Sequence, residues 1–286
     1  ASTCPSDQFG TGYFQETDPI RLFDDCSGYN QMAVTPAQFA RMLPAALQHA
    51  IHRREVAVVG LPGDVAASPC AESPGASGPL PSHGIYRPLD GELRQLAEMI
   101  GSAERITVFC GIGAREAHDE VVRLAAMLKA PVAYTFKAKM EVQYDNPYEI
   151  GMTGLLGLPS AYGAMHESDL LLLLGTDFPY DCFLPSECRI AQVDIRPERI
   201  GRRARVELGL AGDVKETLQA LFPMLRERSD RVFLDRQLKI YGALCDDMAA
   251  VASKRGSAGN IAPEYVATLI DTLASDSAIF TVDTGM

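Results

Sequence analysis

The residues best placed to do chemistry close short apolar runs. Ile106-Thr107-Val108-Phe109-Cys110 runs into Gly111-Ile112-Gly113-Ala114. Leu170 to Leu174 runs into Gly175-Thr176-Asp177-Phe178-Pro179-Tyr180, and Ile190 to Val193 closes on Asp194. Glycine at a strand end lets backbone approach a phosphate, and a helix start favours the phosphate's charge. An acidic residue closing a later strand suits the two hydroxyls of a ribose. Together these residues suggest an adenine dinucleotide as ligand, held mainly by Gly111, Gly113 and Asp194.

Each motif also has a plainer reading. Gly111 and Gly113 lack the third glycine of the full dinucleotide fingerprint, Glu116 standing in its place, and can serve only to tighten a turn. Phe178 and Tyr180 suit a ligand surface or a cap on the core. Asp194 suits a ribose or the start of the segment after Arg196-Pro197. A second glycine-rich stretch, Gly151-Met152-Thr153-Gly154-Leu155-Leu156-Gly157, suits a groove for a flat or phosphorylated ligand, or a loop. Lys137, Lys139 and Arg115 fall at the same end of the predicted sheet and suit a pyrophosphate or solvent. His118 and His166 read as surface residues. No His/Glu pair has metal-ligand spacing and no Gly-x-Ser-x-Gly turn occurs, so no metal ligand is assigned.

The elements that must position these residues follow from the alternation of patterns. Strands are expected near 105–110, 131–136, 169–174, 189–194 and 206–211, with helices near 115–129, 160–168 and 213–222. Strands alternating with helices imply right-handed crossovers and a doubly wound parallel α/β sheet over residues 89–224. Before it, residues 1–66 read as strand, helix, strand. The helix there starts at Thr35-Pro36 and is expected to break or kink at Pro44. Residues 67–88, rich in Ala, Ser, Pro and Gly, read as a linker. After the sheet, residues 225–286 read as a charged helix, a joint at 256–260, a helix opened by Ala262-Pro263-Glu264 and a strand at Ile279-Phe280-Thr281-Val282.

Composition excludes some classes. Of 286 residues 47% are hydrophobic, enough for a sizeable core, and the net charge is −11 with no basic run, which argues against nucleic acid. Seven scattered cysteines without Cys-x-x-Cys read as reduced thiols in a cytoplasmic protein. The longest apolar run is too short for a membrane span. The absent initiator Met, and an apolar strand close to the last residue, read as a segment of a longer protein.

Five segments occur in one order: Gly12-Tyr13-Phe14-Gln15-Glu16-Thr17, Leu61-Pro62-Gly63-Asp64-Val65, Gly151-Met152-Thr153-Gly154, Gly175 to Tyr180, and Val282-Asp283-Thr284-Gly285. That order resembles the thiamine-diphosphate-dependent enzymes of the acetolactate synthase and pyruvate oxidase group, nearest to the pyruvate dehydrogenase (quinone), or pyruvate oxidase, branch. The resemblance implies a pyrimidine-binding domain tail (1–66), a Rossmann-like central FAD-binding domain (89–224) and the opening of a diphosphate-binding domain (225–286). It implies FAD contacts from Thr153, Gly154, Leu155 and Leu156, from Thr176, Asp177, Phe178, Pro179 and Tyr180, and from Asp194. It places Phe14 beside flavin and substrate and Gln15 in the reaction pocket.

It further implies thiamine diphosphate and magnesium for the whole enzyme, held by residues outside this chain. Pyruvate and quinone would be its reactants, membrane contact would be peripheral and made elsewhere, and the assembly would be a homo-oligomer. This chain alone is then expected not to decarboxylate pyruvate. The alternatives are an acetolactate synthase-like carboligase, in which FAD does no net redox work, and a non-catalytic nucleotide-binding module. The oxidase-like form of Gly12 to Thr17 favours the oxidase over the carboligase.

Overall fold

The computed structural model describes residues 1–70, 78, 84–256 and 260–282, which divide into two compact units, Ala1–Gly84 and Ile85–Met286. Most of the expected linker, much of the joint at 256–260, and Asp283-Thr284-Gly285 lie outside the described residues.

The first unit carries β1 (Ser2–Thr3), α1 (Pro19–Leu22), β2 (Tyr29–Met32), α2 (Pro36–Arg53), β3 (Ala57–Pro62) and α3 (Gly63–Ala67). Its parallel sheet has the order β1-β3-β2. Thr35 caps α2 by accepting the Gln38 N–H at 3.2 Å, with Pro36 at the first helical position. The expected break at Pro44 does not occur, and α2 runs as one helix to Arg53. Proline removes one backbone donor, yet α2 continues through it, with Ala46 buried two residues on.

The second unit carries α4 (Asp90–Ser102), β4 (Ile106–Cys110), α5 (His118–Leu128), β5 (Val132–Tyr134), α6 (Lys139–Val142), β6 (Glu149–Met152), α7 (Pro159–Glu167), β7 (Leu170–Leu174), β8 (Arg189–Asp194), β9 (Leu208–Ala211), α8 (Val214–Leu221), α9 (Val232–Ala252) and α10 (Pro263–Leu273). Its six strands are all parallel in the order β6-β5-β4-β7-β8-β9. Counted within the unit this is 3-2-1-4-5-6, the doubly wound arrangement whose switch point lies between β4 and β7.

Strand pleating assigns the core. Val108, Leu170, Leu172 and Val193 face α4, α5 and α8, while Phe109, Leu171, Leu173 and Ile190 face Ala161, Ala164 and Met165 of α7. Helices therefore cover both faces, which is why the strands read as continuous apolar runs. Thr107, buried in β4, donates to Ala164 O at 3.1 Å and accepts from the Ser168 hydroxyl at 2.6 Å.

Three local expectations change. Glu149–Met152, leading into the glycine-rich stretch 151–157, is an edge strand, because pairing with β5 decides its conformation. The helix after β4 begins at His118, preceded by a 3-10 turn at Ile112–Ala114 that contains Gly113. Residues 279–282 form no strand: no partner strand among the described residues pairs with them, and Ile279 and Val282 are exposed.

Glu149 fastens α9 to the sheet edge. It accepts the Tyr134 hydroxyl at 2.7 Å, the Tyr241 hydroxyl of α9 at 3.1 Å and the Gln143 amide at 3.4 Å. Burial and the adjacent carboxylate both push the two phenols up, so each stays a donor. Glu149→Ala removes the carboxylate that accepts both phenols and should cost about 1–3 kcal/mol. A fall in the denaturant midpoint at unchanged m-value checks this; an unaltered midpoint would remove the network from the account.

Candidate functional site

All six strands of the second unit end at one edge of the sheet, and the chain reverses its winding between β4 and β7. A crevice outside the strand ends at such a point is where open α/β sheets bind ligands. Gly111 and Gly113 follow β4 there, and Gly175 follows β7. The Gly111 amide donates to Leu174 O at 2.9 Å, the Gly113 amide to Gly175 O at 3.0 Å, and the Gly175 amide to Val193 O at 2.8 Å. A Cβ on Gly111 would lie 2.4 Å from Gly175 O, and one on Gly113 would lie 2.7 Å from Gly175 Cα. Here the glycines let two backbone segments cross, and their amides are committed to that crossing. The plainer reading of Gly-x-Gly, tightness, therefore describes its local role. Its effect on the site is to keep the crevice floor free of side chains.

On one side of the crossing the loops after β5 and β6 carry apolar side chains turned to solvent. Leu155 and Leu156 are 71% and 72% exposed, and Phe136 and Met140 are 68% and 78%. Large apolar groups left exposed on neighbouring loops suit a flat ligand or a partner surface. Thr153 is buried, with its amide donating to Tyr134 O at 3.2 Å, and Gly154 takes φ +120, which suits glycine alone. Gly154 lies against the Phe178 ring. Phe178 itself plugs the core, edge-on to Phe109 at 5.3 Å, whereas Tyr180 is exposed, 5.5 Å from the Phe178 ring centre. Pro179 is exposed between them, and Lys137 is exposed in the turn after β5.

On the other side stands Asp194, buried at the end of β8. Its Oδ1 accepts the Arg196 N–H at 2.9 Å. Burial raises its pKa above the ordinary carboxylate range, with the nearby Asp177 charge acting in the same sense and the Arg196 N–H, Arg199 and the Arg196 side chain opposing it. A carboxylate held at this desolvation cost gains most from a ligand that donates hydroxyls to it.

Sequence reasoning missed three contributors. Arg202 and Arg203 both pair with Asp177, and Gln192 donates to Thr176 O at 3.1 Å while accepting the Gly201 N–H at 2.9 Å. The Gly201-Arg202-Arg203 run beyond Asp194 was the signal available. Phe14 and Gln15 lie in the first unit, and the other site residues belong to the second. Phe14 is 79% exposed and Gln15 takes φ +59 on a turn that Glu16 closes by accepting the Gly10 and Gly12 amides at 2.5 and 2.8 Å.

A cavity of about 1020 Å³ between the end of α4 and residues 224–230 lies at the opposite end of the strands. Among the described residues no group of three or more His, Cys, Asp or Glu side chains is arranged to hold a metal ion, and no helix is long and apolar enough to cross a membrane.

Residues 93–221 match the family described as thiamine pyrophosphate enzyme, central domain. An uncharacterized 42.6 kDa protein (isoamylase 3' region) of Pseudomonas amyloderamosa is 46% identical over 84% of this chain and 61% of its own length. The pyruvate oxidase of Lactiplantibacillus plantarum is 26% identical over 97% of this chain and 47% of its own. The acetolactate synthase of Mycobacterium bovis is 28% identical over 96% of this chain and 46% of its own. The chain thus spans about half the length of the two named enzymes.

Proposed function

The chain belongs to the thiamine pyrophosphate-dependent enzymes, with their central domain at residues 93–221, and from that premise we propose that the strand ends of the second unit hold FAD for the oxidative decarboxylation of pyruvate to acetate and carbon dioxide, with quinone as electron acceptor. The observation that carries this is the switch point itself: a glycine-floored crevice with an exposed apolar shelf on one side and a buried carboxylate on the other. An FAD molecule has the matching halves, a flat apolar ring system and an adenosine with a ribose diol, joined by a pyrophosphate.

Asp194 would take the ribose hydroxyls. Thr153, Gly154, Thr176 and the backbone of Asp177 would line the middle, and Leu155, Leu156 and Tyr180 would pack on apolar surface. Lys137 and Arg115 lie at the strand ends that a pyrophosphate would approach. When bound, FAD supplies a carrier for an electron pair; the protein positions it and excludes water from it. Among the described residues no group of three or more His, Cys, Asp or Glu side chains is arranged to hold a metal ion, and no step is assigned to thiamine diphosphate or magnesium. The oxidase-like segment Gly12 to Thr17, with Phe14 and Gln15 at its centre, favours the oxidase over the carboligase.

Titration of the purified chain with FAD, ADP and FMN tests the site. FAD and ADP should compete for one site, with FMN markedly weaker because it lacks the adenosine half. Binding of FMN as tight as FAD, or of no nucleotide at all, overturns the FAD reading.

A further inference from the structure

The loop after β7 would contribute Thr176 to Tyr180 to the nucleotide crevice, and the loop after β8 carries five arginines between 196 and 205 in a chain of net charge −11. The two loops are joined at Asp177. Its carboxylate is almost buried, the side chain 9% exposed, and receives Arg202 on both oxygens: Nε reaches Oδ1 at 3.2 Å and a terminal guanidinium nitrogen reaches Oδ2. Arg203 Nε adds a third contact to Oδ1 at 3.3 Å. Beneath this clamp Gln192, buried in β8, ties the Thr176 carbonyl to the Gly201 amide. Two-pronged guanidinium pairing fixes orientation as well as charge.

We propose that Arg202 and Arg203 are positioning residues of the nucleotide site: through Asp177 they pin the loop after β7 onto the loop after β8 and keep two strand-end carboxylates, Asp177 and Asp194, from meeting uncompensated. The inference rests on the nucleotide reading above. Asp194 faces the Arg196 N–H and the Arg196 and Arg199 side chains from its own loop, and Asp177 from the neighbouring one. Asp213, at the head of α8, turns its carboxylate to the Glu216 N–H instead. Removing both guanidiniums leaves Asp177 a nearly buried, unpaired anion beside Asp194, and the pair lowers its energy by taking up a proton. A protonated Asp194 accepts ribose hydroxyls poorly.

The test is the affinity of the full chain for FAD and for ADP between about pH 5 and pH 9, in wild type, R202Q/R203Q and D177N/R202Q/R203Q. The double variant should bind about tenfold more weakly at neutral pH. The acid limb of its affinity profile should move to higher pH, a shift that a merely structural role would not produce. The triple variant, with no unpaired carboxylate, should regain the wild-type limb. The conservative R202K/R203K keeps the charge and loses the two-pronged geometry. It should hold the wild-type limb at reduced affinity, and it serves if the glutamine variant does not fold. An unmoved profile in the folded double variant, or a triple variant no better than the double, overturns the clamp while the nucleotide reading stands. Wild type that binds neither FAD nor ADP overturns both.

Discussion

Gly175→Ala is expected to cost about 3 kcal/mol or more of folding stability, combining left-handed backbone strain with overpacking. Gly175 has φ +61, and a Cβ there would lie 2.6 Å from the Gly113 backbone and 3.0 Å from the Ala114 amide. No side chain can rotate away, because the opposing atoms are main chain. The segment is also pinned by its own bonds to Gly113 and Val193. Relief requires the loops after β4 and β7 to separate, which would open the crevice floor and lower nucleotide affinity as well. Urea unfolding followed by circular dichroism measures the effect. A loss under about 1 kcal/mol would show that the crossing yields easily and is not the rigid floor assigned to it.

Asp194→Asn should move stability and binding in opposite directions. The folded state raises the pKa of this group, so its favourable contribution is complete below the ordinary carboxylate range and is lost as pH rises through the raised value. At neutral pH the ligand-free protein therefore carries a buried charge at a cost. Asparagine removes that cost and keeps an oxygen for the Arg196 N–H, so the variant should melt higher than wild type near pH 7 and no higher near pH 3. Its nucleotide affinity should fall by about 1–3 kcal/mol, the loss expected for hydrogen bonds to a charged acceptor. Wild-type affinity should decline as pH falls through the raised range, while that of the variant stays flat. Calorimetric titration and thermal melts at several pH values read both. Equal affinity in the two proteins would remove Asp194 from the nucleotide site.

The alternation of apolar runs and helical faces made five of the six strands between β4 and β9, all but β6, legible in the residues themselves. Strands such as Leu170–Leu174 are buried on both faces and admit little else. Local pattern failed where a distant partner decides. Glu149–Met152 is a strand because β5 lies beside it, and Pro44 sits inside α2, which runs unbroken from Pro36 to Arg53. The candidate site was legible by position, since strand ends carry it. The partners of its residues were not legible: Gly113 meets Gly175 across 62 positions and Asp177 meets Arg202 across 25. No spacing rule links such residues, and only the fold shows that the glycines cross one another and that the aspartate is already paired.

The central claim is that FAD occupies the strand ends around the β4–β7 switch point. Amide hydrogen exchange of the chain with and without FAD tests it most directly. The account predicts slower exchange on FAD addition in 153–157, 175–180 and 194–199, with the opposite end of the sheet around 224–230 unchanged. Protection confined to other segments, or none at FAD concentrations that saturate binding, would contradict it.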